Sequence, residues 1–165
     1  MAVIADGMSA AEAGGVASKA CVQGFLSDYF STPESWSVKS SAQKVLAALN
    51  RWLYGNGQRE YGTNKGMVTT FCAVGCKSNT AHLLHVGDSR IYRLRGDDYE
   101  PLTRDYRVQV SAERSYLSRA RGIELTGEID HRTAAGEEGT RFVLPTDRVR
   151  GAMDGRDITR DFIGA

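Results

Sequence analysis

Three aspartates come directly after apolar segments of the chain. Asp6 follows "AVIA", Asp88 follows "AHLLHVG" and Asp147 follows "RFVLPT". Magnesium and manganese prefer carboxylate, carbonyl and water oxygens, and a metal site needs ligands on rigid supports such as strand ends. The pattern therefore predicts a divalent-cation site if the three strand ends meet. Because aspartate beside glycine is also common in ordinary turns, a purely structural role for Asp6 and Asp88 stays open.

The segment "HVGDSR" places a histidine, a hydroxyl and a guanidinium around Asp88. Ser89 is not expected to be a nucleophile, because neighbouring residues of a strand point to opposite faces, which keeps Asp88 and Ser89 from joining His85 in a triad. No oxyanion-hole motif accompanies them. Arg90 is instead expected to anchor the turn through hydrogen bonds.

The composition is that of a globular domain with its own core. The chain has 165 residues, 41% of them hydrophobic and 25% charged, with a formal net charge of +1. Arginines cluster from Arg90 to Arg107, but a solvated strand face is favoured over nucleic-acid binding. No run approaches the roughly 18 apolar residues of a membrane span, so we expect a cytoplasmic protein without membrane contact. The cysteines form no CxxC pair and are predicted to be reduced core residues; they are Cys21, Cys72 and Cys76.

The periodicity of the chain changes from helical to extended after about fifty residues. Apolar residues at three- and four-residue spacing predict a helix from Ala11 to about Phe30, and a second helix that is capped by Ser35 or Ser37 and ends at "YGNGQ". Short alternating segments from "MVTTFCAVGC" to "YEPLT" predict an antiparallel meander. "SAERSYLSRARG" predicts a short helix, "EIDHRTA" and "TRFVLPT" predict strands, and "DGRDITRDFIGA" predicts a last helix. The order indicates one α+β domain over residues 1–165.

Six motifs occur in the order of a known family: "VIADGM", "GGVAS", "HVGDSRIYRLR", "LTRDYRV", "YLSRARG" and "RFVLPTD". The sequence resembles the metal-dependent protein serine/threonine phosphatases of the protein phosphatase 2C type. "STPESWSVKSSAQKVLAALNRWLY" resembles the bacterial subgroup in which such domains are fused to protein kinases. The resemblance implies a four-layer α-β-β-α sandwich, two antiparallel sheets flanked by helices, and we expect it to be incomplete at both ends relative to the family pattern.

The resemblance also implies a mechanism and its residues. In the family, two divalent ions, manganese or magnesium, activate a water that attacks phosphoserine or phosphothreonine in a protein. Asp6 would bridge both ions, the Gly7 carbonyl would ligate one, and Asp147 would ligate the other. Asp88 matches the aspartate that some relatives use, together with the late aspartate, for a third and weaker ion. A phosphorylated protein substrate and a cognate protein kinase are the implied partners.

The sequence departs from the family pattern at Arg148, where glycine is usual. A guanidinium beside the late aspartate should oppose metal binding, so we expect a lower metal affinity; the alternative is that Arg148 holds the substrate phosphate. Arg121 also replaces a usually apolar residue. The departures keep two other interpretations open: a noncatalytic phosphatase-like module that binds a phosphoprotein or kinase, and a piece of a larger active enzyme. Strand edges exposed by the expected incompleteness would favour a homodimer.

Overall fold

The fold is given by a computed structural model of the chain. It describes residues 1–62, 66–96, 98–103, 107–111, 114–117, 129–147 and 149. Along the chain a short strand is followed by two helices and then by the remaining strands, so the two helices and the meander after them come in the predicted order. The helix predicted over 154–165 lies outside the described residues.

Two helices follow the first strand, β1 (Ala2–Ile4). Helix α1 (Gly14–Phe30) buries its small and aromatic face, and helix α2 (Val38–Tyr61) buries one apolar stripe. The Ser37 side chain accepts a hydrogen bond from the Ser40 N–H, so Ser37 is the N-cap of α2, one of the two predicted candidates. Within the described part of the chain, no helix has both the length and the apolar character needed to cross a membrane.

The described strands form two antiparallel sheets and a separate hairpin. After β1, the strand bounds are β2 Phe71–Lys77, β3 Thr80–Val86, β4 Tyr92–Arg95, β5 Asp98–Pro101, β6 Arg107–Ser111, β7 Arg114–Leu117, β8 Asp130–Ala135 and β9 Arg141–Val143. The first sheet has the order β1-β2-β3-β8 and the second has the order β5-β4-β9. Strands β6 and β7 pair only with each other in this description, with Val108 opposite Tyr116.

The two central strands of the first sheet, β2 and β3, are largely buried on both faces and lie in the middle of the core. In β2, Phe71 and Ala73 pack with residues of the two helices, whereas Cys72 and Val74 pack with residues of the second sheet. Alternate residues of a strand point to opposite faces, so one apolar strand serves both layers. The described layers are therefore helices, first sheet and second sheet, which confirms the α+β fold with two antiparallel sheets.

Three local predictions were wrong. The helix predicted over "SAERSYLSRARG" is in part strand β7, because pairing with β6 overrides a weak local helical pattern. Helix α2 continues past "YGNGQ" to Tyr61, where Gly62 adopts the left-handed conformation at φ 64° that ends helices. Cys76 is exposed rather than buried, since it lies next to the turn that connects β2 and β3.

Candidate metal site at the strand ends

The structure brings the predicted ligands together around one cavity of about 140 Å³. Asp6 and Gly7 come from the segment after β1, Asp88 from the turn after β3, and Asp147 from the segment after β9. The remaining lining residues are Met8, Ser9, Ala10 and Thr70. Arg148, the other predicted site residue, lies outside the described residues.

The carboxylates share the cavity without meeting at a single point. Within the described residues, no group of three or more His, Cys, Asp or Glu side chains is arranged to hold one metal ion. Asp6, Asp88 and Asp147 therefore line the same cavity, but they do not form a cluster of three ligands around one point. Such a set of oxygen donors suits hard divalent cations, which keep several waters when few carboxylates bind them. Thus the donor chemistry fits the implied cation, and each ion would have to be completed by water.

Close backbone packing fixes the turn at Asp6 and Gly7. A Cβ atom at Gly7 would lie 2.0 Å from the carbonyl oxygen of Gly14, and one at Gly14 would lie 2.5 Å from the carbonyl oxygen of Met8. Real Cβ contacts are never so short, so both positions need glycine. The first turn of α1 therefore rests directly on the backbone next to Asp6. The required glycine at position 14 is part of the "GGVAS" motif, but the sequence alone did not indicate that Gly14 packs against Gly7.

Hydrogen bonds connect the three ligand segments to one another. Thr70 bonds the backbone of Asp6 through both its N–H, at 2.9 Å, and its side-chain oxygen, at 3.0 Å. The Thr70 and Ser89 hydroxyls are 2.9 Å apart. On the other side of the Asp88 turn, the Arg90 N–H donates to the Pro145 carbonyl at 3.3 Å, close to Asp147.

Neither His85 nor Ser89 is arranged for nucleophilic catalysis. The Nε2 atom of His85 is 2.7 Å from the backbone carbonyl of Ser89, and a carbonyl only accepts, so this nitrogen must carry the proton. Nε2 therefore bonds the backbone of Ser89, while the Ser89 hydroxyl lies 2.9 Å from the hydroxyl of Thr70. Arg90 donates from Nη1 to the Tyr92 hydroxyl at 3.3 Å, consistent with its expected role as an anchor of the turn.

Cys72 lies close to the site, but its thiol is unreactive. Burial, together with the negative charge of Asp88, raises the pKa of its thiol far above the usual value. A thiol in this state is protonated at neutral pH, and only the thiolate is a good nucleophile or metal ligand. Cys72 is thus a core residue, as predicted.

The other candidate groups lie away from the cavity. His82 and His131 face each other across β3 and β8, with Nδ1 of the first 3.2 Å from Nε2 of the second. Two arginines of the basic cluster form ion pairs on the second sheet, Arg93 with Glu100 and Arg95 with Glu137. Those two cations are therefore partly neutralised, which favours the solvated-face interpretation of the cluster.

Comparison with known proteins identifies the family. The family model of protein phosphatase 2C matches residues 1–163, so the chain belongs to the protein phosphatase 2C family. Protein phosphatase PhpP of Streptococcus pneumoniae is 26% identical over 180 residues, which cover 99% of this chain and 72% of that protein. These matches extend over nearly the whole chain, like the motifs.

Solved structures agree with this assignment. The S. agalactiae serine/threonine phosphatase superposes with a TM-score of 0.82 at 28% identity and covers 95% of this chain and 71% of its own. The catalytic domain of the serine/threonine protein phosphatase PstP, solved with two manganese ions, gives a TM-score of 0.77 at 24% identity, over 96% of this chain and 71% of its own. At that identity, the second comparison supports the fold alone.

Proposed function

We propose that the chain removes phosphate from phosphoserine and phosphothreonine in proteins, with manganese or magnesium as the cofactor. The observation that carries the proposal is the cavity lined together by Asp6, Gly7, Asp88 and Asp147, the four positions at which the family resemblance predicts metal ligands. Membership of the protein phosphatase 2C family and the named activity of PhpP support the reaction. The catalytic domain of PstP, which shares the fold, was solved with two manganese ions, and manganese is therefore the first cation to test.

The roles proposed for the ligands follow from their chemistry. Asp6, the Gly7 carbonyl and Asp147 would hold two divalent cations, and Asp88 together with Asp147 would hold a third and weaker one. When bound, such a pair supplies a nucleophilic water at neutral pH and positive charge for the phosphate. Carboxylates around one cavity repel each other, and this repulsion favours the binding of a cation between them.

Other residues of the chain hold these ligands in place or stay inert. Thr70 and the Gly7–Gly14 contact fix the backbone at Asp6. Cys72 remains a neutral thiol, and His85 uses its Nε2 proton to hold the Ser89 carbonyl. The proposal therefore needs no covalent phosphoenzyme, because neither of these groups is arranged as a nucleophile.

The test is a manganese titration by calorimetry, followed by a phosphatase assay on a phosphothreonine peptide. We expect saturable binding and turnover by the unmodified chain, and loss of both in Asp6→Asn. Asp98→Asn is the matched control, because Asp98 is an exposed aspartate of β5 that does not line the cavity. Equal manganese affinity of Asp6→Asn and Asp98→Asn would refute the ligand assignment. Binding without turnover would instead indicate a phosphoprotein-binding module.

Four finer points remain proposals. A cognate protein kinase and a homodimer would be the partners, the location would be the cytoplasm, and Arg148 would either weaken metal binding or hold phosphate. Sedimentation that shows a monomer at high protein concentration would exclude the homodimer. For Arg148, Arg148→Gly should raise manganese affinity under the first role and raise the KM for the phosphopeptide under the second.

A further inference from the structure

The hydrogen-bond ladder between β1 and β2 departs from the regular backbone pattern at Asp6, where a side chain replaces a backbone carbonyl as the acceptor. The register of β1 with β2 continues past the strand as far as Gly7, which lies opposite Thr69, so Asp6 lies opposite Thr70. The Thr70 N–H donates to the Asp6 carbonyl at 2.9 Å, as a ladder requires. The Asp6 N–H, however, donates to the Thr70 side-chain oxygen at 3.0 Å instead of the Thr70 carbonyl, which accepts from the Thr69 hydroxyl.

Thr70 also contacts the residues on both sides of Asp88. Its hydroxyl lies 2.9 Å from the Ser89 hydroxyl. Its methyl group packs against Gly87, where a Cβ atom would lie only 2.8 Å from the Thr70 Cγ2 atom. Gly87 has a φ of +108°, so the turn depends on glycine both for its backbone and for this contact. One side chain therefore holds the Asp6 segment and the Asp88 turn in a fixed relation.

The burial of these hydroxyls makes their bonds specific. Thr70 is 2% exposed and Ser89 is 1% exposed. In a buried environment a polar group without its partner is costly, so the two hydroxyls have little freedom to exchange partners with water. The threonine hydroxyl accepts one proton from a backbone amide and shares a second bond with Ser89, and both bonds therefore depend on the same oxygen atom.

We infer that Thr70 is a positioning residue for metal binding: its hydroxyl sets the placement of Asp6 relative to Asp88 across the cavity without being a ligand itself. The inference rests on the proposed function, since it concerns the affinity of the same site. Ligands must be held to within about 0.5 Å for a site to work well. Loss of the hydroxyl would free the Asp6 amide and the Ser89 hydroxyl together, and the carboxylates would no longer be held in one arrangement.

The test compares manganese affinity, measured by calorimetry, among three variants and the unmodified chain. Thr70→Val keeps the shape and the methyl contact with Gly87 but lacks the hydroxyl, and we expect affinity to fall about tenfold, the factor that corresponds to the loss of roughly one hydrogen bond. Thr70→Ser retains the hydroxyl and should restore most of the affinity. Thr103→Val is the matched control, because Thr103 is a buried threonine whose hydroxyl also accepts a backbone N–H, that of Ile91 at 2.9 Å.

The outcomes separate this inference from the proposed function. Weaker binding by Thr70→Val alone, with recovery in Thr70→Ser, supports the inference, because a general loss of stability would also be seen in Thr103→Val. If the unmodified chain binds manganese and Thr70→Val binds it with the same affinity, the inference is overturned and the proposed function stays intact. Absence of binding by the unmodified chain overturns both. If circular dichroism shows that Thr70→Val does not fold, Ser89→Ala decides: affinity below that of Thr103→Val supports the inference, and equal affinity overturns it.

Discussion

The two adjacent glycines at the start of α1 should respond in opposite directions to the same substitution. A Cβ atom at Gly14 would lie 2.5 Å from the Met8 carbonyl oxygen and 3.0 Å from the Gly7 carbonyl carbon, whereas one at Gly15 has nothing within 4 Å. Neither glycine has a positive φ, so the backbone itself permits alanine at both positions. The difference between Gly14→Ala and Gly15→Ala therefore isolates the contact between the helix and the turn beside Asp6.

The expected free energies follow from two opposing effects. Alanine stabilises a helix by up to about 1 kcal/mol relative to glycine, and this gain applies to both positions. At Gly14, backbone atoms would have to move by roughly 1 Å to reach ordinary van der Waals contact, and overpacking of this kind costs about 1–3 kcal/mol. We expect Gly15→Ala to be slightly more stable than the unmodified chain, and Gly14→Ala to be less stable by up to about 2 kcal/mol after the full helix gain is subtracted from the packing cost.

Urea denaturation followed by circular dichroism measures this difference. A shift of the midpoint at unchanged m value would show that stability, and not the denatured state, has changed. Manganese affinity should fall in Gly14→Ala, because Gly7 and Met8 line the cavity, and should be unchanged in Gly15→Ala. If Gly14→Ala proved as stable as Gly15→Ala, with the same manganese affinity, the close packing of α1 on the Asp6 segment could not be what holds the site.

The remaining predictions concern the Asp88 turn, the core and the pH response. Gly87→Ala should weaken manganese binding, because it combines a φ of +108° with a Cβ position 2.8 Å from the Thr70 methyl; calorimetry that shows an unchanged affinity would contradict this. Phe25→Ala should lower the free energy of unfolding, measured by urea denaturation, by about 3–5 kcal/mol, since the ring is fully buried. A loss below about 1 kcal/mol would mean that neighbouring core residues relax to fill the space left by the ring. Burial lowers the pKa values of His82 and His131 below the usual 6.5, helped by Lys77 for the first and by the partner histidine and Lys39 for the second. A lowered pKa means that the unfolded chain binds these protons more readily, so the stability these groups contribute is present above about pH 6.5 and is lost as the pH falls through their folded pKa values. His82→Gln should reduce the pH dependence of the melting temperature between about pH 5 and 7. An unchanged pH dependence would exclude the histidine pair as the cause of the loss of stability at low pH.

The helices and the strand ends were predictable because their signals are local. The stripe in α2, its cap at Ser37 and the apolar runs before the aspartates all depend on residues within a few positions of one another. The end of α2 was misjudged because Gly57 is buried on its packed face and the tertiary contact outweighs the helix-breaking tendency of glycine. Similarly, a weak helical pattern in "SAERSYLSRARG" gave way to pairing between β6 and β7.

The residues that hold the ligands could not be predicted in this way. Thr70 looks like any β-branched residue at the start of a strand, and nothing near it in the sequence indicates that its hydroxyl replaces a backbone carbonyl. The need for glycine at Gly14 and Gly87 likewise cannot be predicted from their neighbours in the sequence, because the backbone or methyl group that packs against each of them belongs to another segment. The motif resemblance indicated which aspartates belong to the site, and only the register of the sheets explains what fixes their relative positions.

The hydrogen bond between Asp6 and Thr70 has a consequence for the order of events in folding. It joins residues 64 positions apart in the sequence, and the next bond, to Ser89, spans a further 19. Contacts between distant parts of a chain form late and slowly, because the entropy of closing the loop must be overcome before the contact forms. We therefore expect the cavity to be among the last features to form: early intermediates would contain α1 and α2 but no cation site, and added manganese would slow unfolding far more than it accelerates folding.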